Sequence, residues 1–252
     1  MLDSMKVEER YGRADILDIM RKLRGENGCP WDREQSHSSI RKDLLEEAYE
    51  VADAIDRQSD IDLCEELGDL LLQVVFHSQI AAEEKAFDFV DVCDGICRKL
   101  ILRHPHVFGE VKVENSSQVL ENWDAIKKVE KQQNDFTETL KSVPAAFPAA
   151  MRAQKVQKRA AKAAIALSGD RETAAARLRM VADKVAAGDS EKIGEMLFAA
   201  VALARLGSAD AEEQLQKATD GFIGRFSEAE KKLGEDIKSI SAAEAEKIWS
   251  EN

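Results

Sequence analysis

The run Leu67–Ile80, LGDLLLQVVFHSQI, constrains this chain more than any other stretch. Its apolar residues occupy nearly the whole circumference of a helix, the mark of a helix buried on all sides. It is shorter than the ~18 apolar residues of a membrane span, and Asp69, Gln73 and His77 interrupt it. A buried helix needs partners, and the preceding sequence offers one. Leu44–Ile55 has helical periodicity, and Gln58-Ser59-Asp60 marks a short turn between the two. An α-helix advances about 100° per residue, so Glu46, Glu50 and Glu47 fall on one narrow arc. Leu44, Ala48, Val51 and Ile55 fill the adjoining arc. On the second helix Glu66 and Asp69 lie i,i+3 beside Leu63, Leu67, Leu70 and Val74. Antiparallel packing of the pair brings the two acidic groups together.

Carboxylates held close repel one another, and a half-buried one tends to take up a proton. A divalent cation relieves both effects. Mg²⁺ takes hard oxygen ligands and shares its shell with water and substrate phosphates. Two readings of the acidic residues stand side by side: a solvated helix face, or a platform for Mg²⁺. Glu66 and Asp69 sit at the entrance of a buried helix, where unpaired charge is costly, and that favours the metal.

The rest of the composition narrows the class. With 252 residues the chain makes one large domain or two small ones. Charged residues reach 33%, aromatics only 6%, and 13 Gly and 4 Pro interrupt the chain, so few strands are expected. A net charge of −12 argues against stable nucleic-acid binding through phosphate contacts. Cys29, Cys64, Cys93 and Cys97 form no C-x-x-C pair. With no secretory leader at the start, they are expected to be reduced thiols in a cytoplasmic protein.

Arg13–Arg24 is an amphipathic helix, with Ile16, Leu17, Ile19, Met20 and Leu23 at helical spacing. Gly25–His37 reads as a loop, and Ser38 or Ser39 as the N-cap of the next helix. Trp31 in that loop either packs over the core or forms a lid whose ring stacks on a bound base. Phe87–Leu102 reads as a third core helix, ended by Pro105 and Gly109. Arg103 at its C-terminus either complements the helix dipole or contacts phosphate. His104 and His106 read as structural. A further helix runs from Ser116 or Ser117 to Lys131, with Trp123, Ile126 and the pair Lys127-Lys128. For Lys127 only the acidic site offers a task beyond that of a solvated charge.

Polar residues with Pro144 and Pro148 place a linker at 132–147, between domains 1–131 and 148–252. The second half reads as a worn copy of the first. Lys192–Gly207 aligns with Glu66–Ala81, and Val181–Asp189 with Val51–Asp60. The apolar residues persist, but Glu46, Glu47 and Glu50 become Ala176, Arg177 and Met180, Glu66 becomes Lys192, and Asp69 becomes Glu195. A closing helix is expected at Ala242–Trp249.

GCPWDREQ (Gly28–Gln35), LLEEAYEVADAI (Leu44–Ile55), EELGDLLLQVVFHSQ (Glu65–Gln79), RHPHVFG (Arg103–Gly109), ENSSQVLENWDAIK (Glu114–Lys127) and PAAMRAQKVQKRA (Pro148–Ala160) together resemble the MazG family. These are nucleoside triphosphate pyrophosphohydrolases of the all-α NTP pyrophosphatase superfamily. The resemblance covers nearly the full chain. It implies an all-α fold of two tandem MazG-like helical domains, with four-helix-bundle cores formed in a homodimer. It implies hydrolysis of NTPs and dNTPs to monophosphate and pyrophosphate with Mg²⁺, Mn²⁺ being a substitute. By position, Glu47, Glu50, Glu66 and Asp69 are the implied metal ligands, and Arg103 and Lys127 the implied phosphate contacts. A free carboxylate is needed to accept the attacking water's proton; Glu46 is the candidate, with Glu50 beside it. The C-terminal acidic set of the family is missing here, and Leu102 stands where a second arginine is common. One active domain, the N-terminal one, is therefore expected. Narrower nucleotide pyrophosphatases and a non-catalytic scaffold with structural Mg²⁺ are the competing readings. A di-iron bundle needs Glu-x-x-His pairs, and Glu50 and Glu66 are followed at i+3 by Asp53 and Asp69.

Overall fold

The computed structural model describes residues 10–115, 118–119, 122–123, 126, 135–163, 169–233 and 241. Among them every regular element is a helix. The chain divides into two compact units, Met1–Lys127 and Lys128–Asn252.

The first unit is built around a helical hairpin, α3 (Arg41–Asp56) and α4 (Asp60–Glu83). Gln58 takes a left-handed conformation (φ 55°) that reverses the chain. Ser59 caps α4, its hydroxyl accepting from the Asp62 amide at 3.3 Å. The turn thus falls where the sequence places it. α1 (Arg13–Arg24) packs on α4. Met20, Ile40, Val75, Phe76 and Ile80 form the buried core, with Ile16, Leu17, Leu72 and Phe89 against it. The expected loop Gly25–His37 contains a short helix, α2 (Pro30–Glu34), started by a proline in its first turn. Chain entry into α2 is tight. The Cys29 amide donates to the Leu23 carbonyl at 2.8 Å, and a Cβ on Gly28 would lie 2.1 Å from that same oxygen.

Three local expectations are corrected. Neither Ser38 nor Ser39 caps α3; Ile40 holds that position without a side-chain bond. Ser39 serves the preceding turn instead, its Oγ accepting from the Ser36 amide at 2.9 Å and donating to Gln35 Oε1 at 2.7 Å. The third helix, α5, runs Phe89–Arg103, because Asp88 forms a capping box with Asp91. Nor is α5 a core helix of this chain: Val90 is 69% exposed, and Ile96, Leu100, Ile101 and Leu102 are also exposed. A one-turn helix, α6 (Pro105–Phe108), follows. Beyond it Gln118, Val119, Asn122, Trp123 and Ile126 are helical; Ser116, Ser117 and Lys127 lie outside the described residues.

In the second unit a helix, α7 (Phe136–Lys141), stands inside the expected linker 132–147 and packs on α8 (Ala149–Ala160). Arg159 pins it, donating to the Thr139 carbonyl at 2.5 Å and the Ser142 hydroxyl at 2.7 Å. α9 (Arg171–Ala186) and α10 (Ile193–Leu206) form a second hairpin, and α11 (Ala211–Leu233) completes the unit. Two glutamines of α8 tie these helices together. Gln154 Nε2 donates to the Ala209 carbonyl and its Oε1 accepts from the Ala211 amide. Fully buried Gln157 donates to the Phe198 carbonyl at 2.8 Å. The expected helix at Ala242–Trp249 lies outside the described residues.

Candidate active site

The hairpin brings together three of the carboxylates singled out by spacing. Glu47 on α3 and Glu66 and Asp69 on α4 each offer an oxygen, and these atoms lie within 4.8 Å of one another. All three side chains are half-buried. Glu50, one turn beyond Glu47, is near enough to raise the Glu47 carboxyl, though Glu50 is exposed. Glu46 is exposed and stands outside the trio.

The electrostatics record the crowding. Burial first, then the charges of Asp69 and Glu50, raise the Glu47 carboxyl above its ordinary range. Glu66 is raised in the same direction by burial and by Glu50, Glu65, Asp69 and Asp62. A group with hard oxygen donors only, mutually repelled and half-sheltered, suits an oxygen-seeking divalent cation. Among the described residues no imidazole or thiolate joins it to suggest a softer metal.

The other candidates have surroundings of their own. Arg103 is buried at the end of α5, its guanidinium 5.7 Å from the Trp123 ring centroid. His104 packs edge-on against the same ring at 4.9 Å, and its Nδ1 lies 2.6 Å from the Leu100 carbonyl oxygen. This agrees with a structural reading of His104. Trp31 is 58% exposed on α2 and does not pack over the core. Its helix is held by Arg24, which bonds the Asp32 and Gln35 carbonyls, grips Glu83 at 2.7 Å, and lies over the Phe76 ring. Lys127 lies outside the described residues.

Sequence reasoning missed one cluster. His37, just after α2, meets His77 of α4 with their Nδ1 atoms 2.7 Å apart and their rings nearly parallel. Gln73, one turn from His77, is only 7% exposed. The available signal was polar residues at i and i+4 inside an otherwise apolar helix.

Comparison with known proteins gives these residues a context. Residues 35–108, which include the whole hairpin, match the MazG nucleotide pyrophosphohydrolase domain. The nucleoside triphosphate pyrophosphohydrolase of Escherichia coli K12 is 43% identical, over 94% of this chain and 95% of its own. The nucleoside triphosphate pyrophosphohydrolase/pyrophosphatase MazG of Thermotoga maritima is 36% identical, over 93% of this chain and 91% of its own. The Mycobacterium tuberculosis nucleoside triphosphate pyrophosphohydrolase matches 60% of this chain at 42% identity, over 46% of its own length. Identity that extends along nearly the full length of two such relatives, together with the domain match across the carboxylate hairpin, shows that this chain belongs to the MazG family.

Proposed function

We propose that the chain hydrolyses nucleoside triphosphates, ribo and deoxyribo, to the monophosphate and pyrophosphate, using Mg²⁺ at the hairpin trio. The observation that carries this is the convergence of Glu47, Glu66 and Asp69 within 4.8 Å in a chain of this family. Glu47, Glu66 and Asp69 hold the cation, with Glu50 completing the set from one turn along α3. Bound there, Mg²⁺ supplies positive charge against the triphosphate and acidifies water. Exposed Glu46, or Glu50 when it is not engaged with Glu47, accepts the proton of the water that attacks the α-phosphorus. Arg103 and Lys127 serve the phosphates, and Trp31 covers the nucleoside.

Two wider features support this reading. The exposed apolar row of α5, with Leu67 and Leu71 of α4, suits burial against a second copy in a homodimer. The second unit is a non-catalytic relative of the first, since Ala176, Arg177, Met180 and Lys192 offer no ligand. The four cysteines are free thiols and none of the described helices is long and apolar enough to cross a membrane, in keeping with a cytoplasmic enzyme.

The test is hydrolysis of an NTP and dNTP panel with Mg²⁺ or Mn²⁺, following monophosphate and pyrophosphate, beside a Glu47→Gln control. Pyrophosphate from several nucleotides, lost in the variant, is expected. Release of single phosphate instead would show that the α-phosphorus is not the target.

A further inference from the structure

We propose that Gln73 and His77 recognise the nucleoside, and that His37 lets this element accept amino-edged and keto-edged bases alike. The inference rests on the hydrolase reading above and names what the same site does with the base.

Asp69, Gln73 and His77 stand at i, i+4 and i+8 on α4. Each step turns about 40° and rises about 6 Å, so they form a polar file leading from the carboxylates into the apolar body of the helix. Two atoms of this file, Gln73 Oε1 and His77 Nε2, are buried without a hydrogen-bond partner among the described residues. Native chains rarely leave such groups unsatisfied, and two in one file point to a polar ligand. A nucleotide whose phosphates lie at the trio extends its nucleoside along this direction.

Both side chains can change hydrogen-bonding character. A glutamine amide presents oxygen or NH₂ on turning over, and a neutral imidazole presents a lone pair or an N–H according to tautomer. Burial, then the neighbouring His37, lower the His77 pKa, which keeps the ring neutral. The Nδ1···Nδ1 bond requires one donor and one acceptor. When His77 Nδ1–H donates to His37, His77 Nε2 accepts, which suits the amino groups of cytosine and adenine. When His37 Nδ1–H donates, His77 Nε2–H donates, which suits the oxygens of uracil and guanine. The two states hold the same number of protons. One proton crosses the Nδ1 pair while solvent exchanges another between the Nε2 atoms. His37 is thus a positioning residue that acts through His77.

The test is kcat and KM of the full chain for ATP, GTP, CTP and UTP in Gln73→Leu, His77→Phe and His37→Phe. It is paired with ¹⁵N-histidine NMR of the wild type titrated with CMP and with UMP. Gln73→Leu and His77→Phe are expected to raise KM about tenfold for all four with kcat little changed. His37→Phe keeps an aromatic ring but removes the Nδ1 partner, and is expected to separate the KM values of CTP and ATP from those of UTP and GTP. The His77 Nε2 resonance should move in opposite directions with CMP and UMP. Unchanged KM in Gln73→Leu and His77→Phe, at wild-type turnover, overturns the inference and leaves the hydrolase reading standing. Should the wild type release no pyrophosphate, the hydrolase reading fails, and the NMR titration still decides: opposed shifts support nucleoside recognition, and unmoved resonances refute it.

Discussion

The two helical hairpins of this chain share a plan and differ at one place. In each unit a long helix turns back on another through a short reversal, at Gln58 in the first and at Gly188 in the second, both with positive φ. In the first hairpin Glu47, Glu66 and Asp69 converge, and burial and mutual repulsion raise Glu47 and Glu66. At the aligned positions of the second, Lys192 bonds Glu195 at 2.6 Å. There the Glu195 carboxyl is lowered, by Lys192 first and then by Arg177 and Lys184. The second hairpin sets its own cations against its acid, whereas in the first the acids face one another. Packing and an acidic trio are therefore separate demands: the second hairpin packs without such a trio among the described residues.

Charge removal should separate the hairpins most sharply. Glu47→Gln or Glu66→Gln is expected to lower pyrophosphate release on the order of 100-fold or more, while Lys192→Gln leaves it nearly unchanged. A large loss in Lys192→Gln would give the second hairpin a part in the chemistry and break the comparison.

Metal removal comes next. Ligand at about 100 times its Kd stabilises the state that binds it by about 2.7 kcal/mol. Hydrogen exchange with Mg²⁺ against EDTA should therefore show added protection in α3 and α4 and none in α9 and α10. Equal protection in both would mean that the second hairpin binds metal too. The double change Arg177→Glu and Lys192→Glu sharpens the test, since it should create Mg²⁺-dependent protection in α10.

A smaller effect is expected without metal. In EDTA, Glu47→Gln should raise the melting temperature of the first unit, because it removes a repelled, half-buried charge. With Mg²⁺ the sign should reverse. A lowered melting temperature in EDTA would show that Glu47 is already satisfied by its neighbours.

The smallest effect concerns acid. Hydrogen bonds from Arg24, whose side chain is largely buried, lower the Glu83 pKa, with Gln79 adding to the same direction. A carboxyl whose folded pKa is depressed contributes stability above its unfolded pKa and loses it as pH falls through the folded value. The wild type should therefore melt higher than Glu83→Gln at neutral pH, with the gap closing on acidification below the ordinary carboxylate range. The exposed Lys192–Glu195 pair should give no measurable gap for Glu195→Gln at either pH. A gap that persists in acid would mean that Glu83 acts through packing.

Much of the first unit was legible in order along the chain. Arg13–Arg24 forms the helix that its apolar spacing predicts, and Ser59 caps α4 where the turn was expected. Helical period and cap chemistry are local, so a linear reading captures them. The errors have local competitors as their cause. Ser39 has a better partner in Gln35 than in the amides of α3. α5 looks like a core helix because it is apolar, but no described residue buries Val90, Ile101 or Leu102.

By itself the sequence determined the helical class, the hairpin, and which acids share a helical face, because these follow from a fixed period of rotation. Only the tertiary structure decided that Glu47, Glu66 and Asp69 converge while Glu46 does not, and that His37 meets His77 across forty residues. Those outcomes depend on how one helix is rotated against another. Such rotations are set by tertiary burial, of Ala54 on α3 and of Met20 on α1 against Val75, Phe76 and Ile80 of α4, which no local pattern contains.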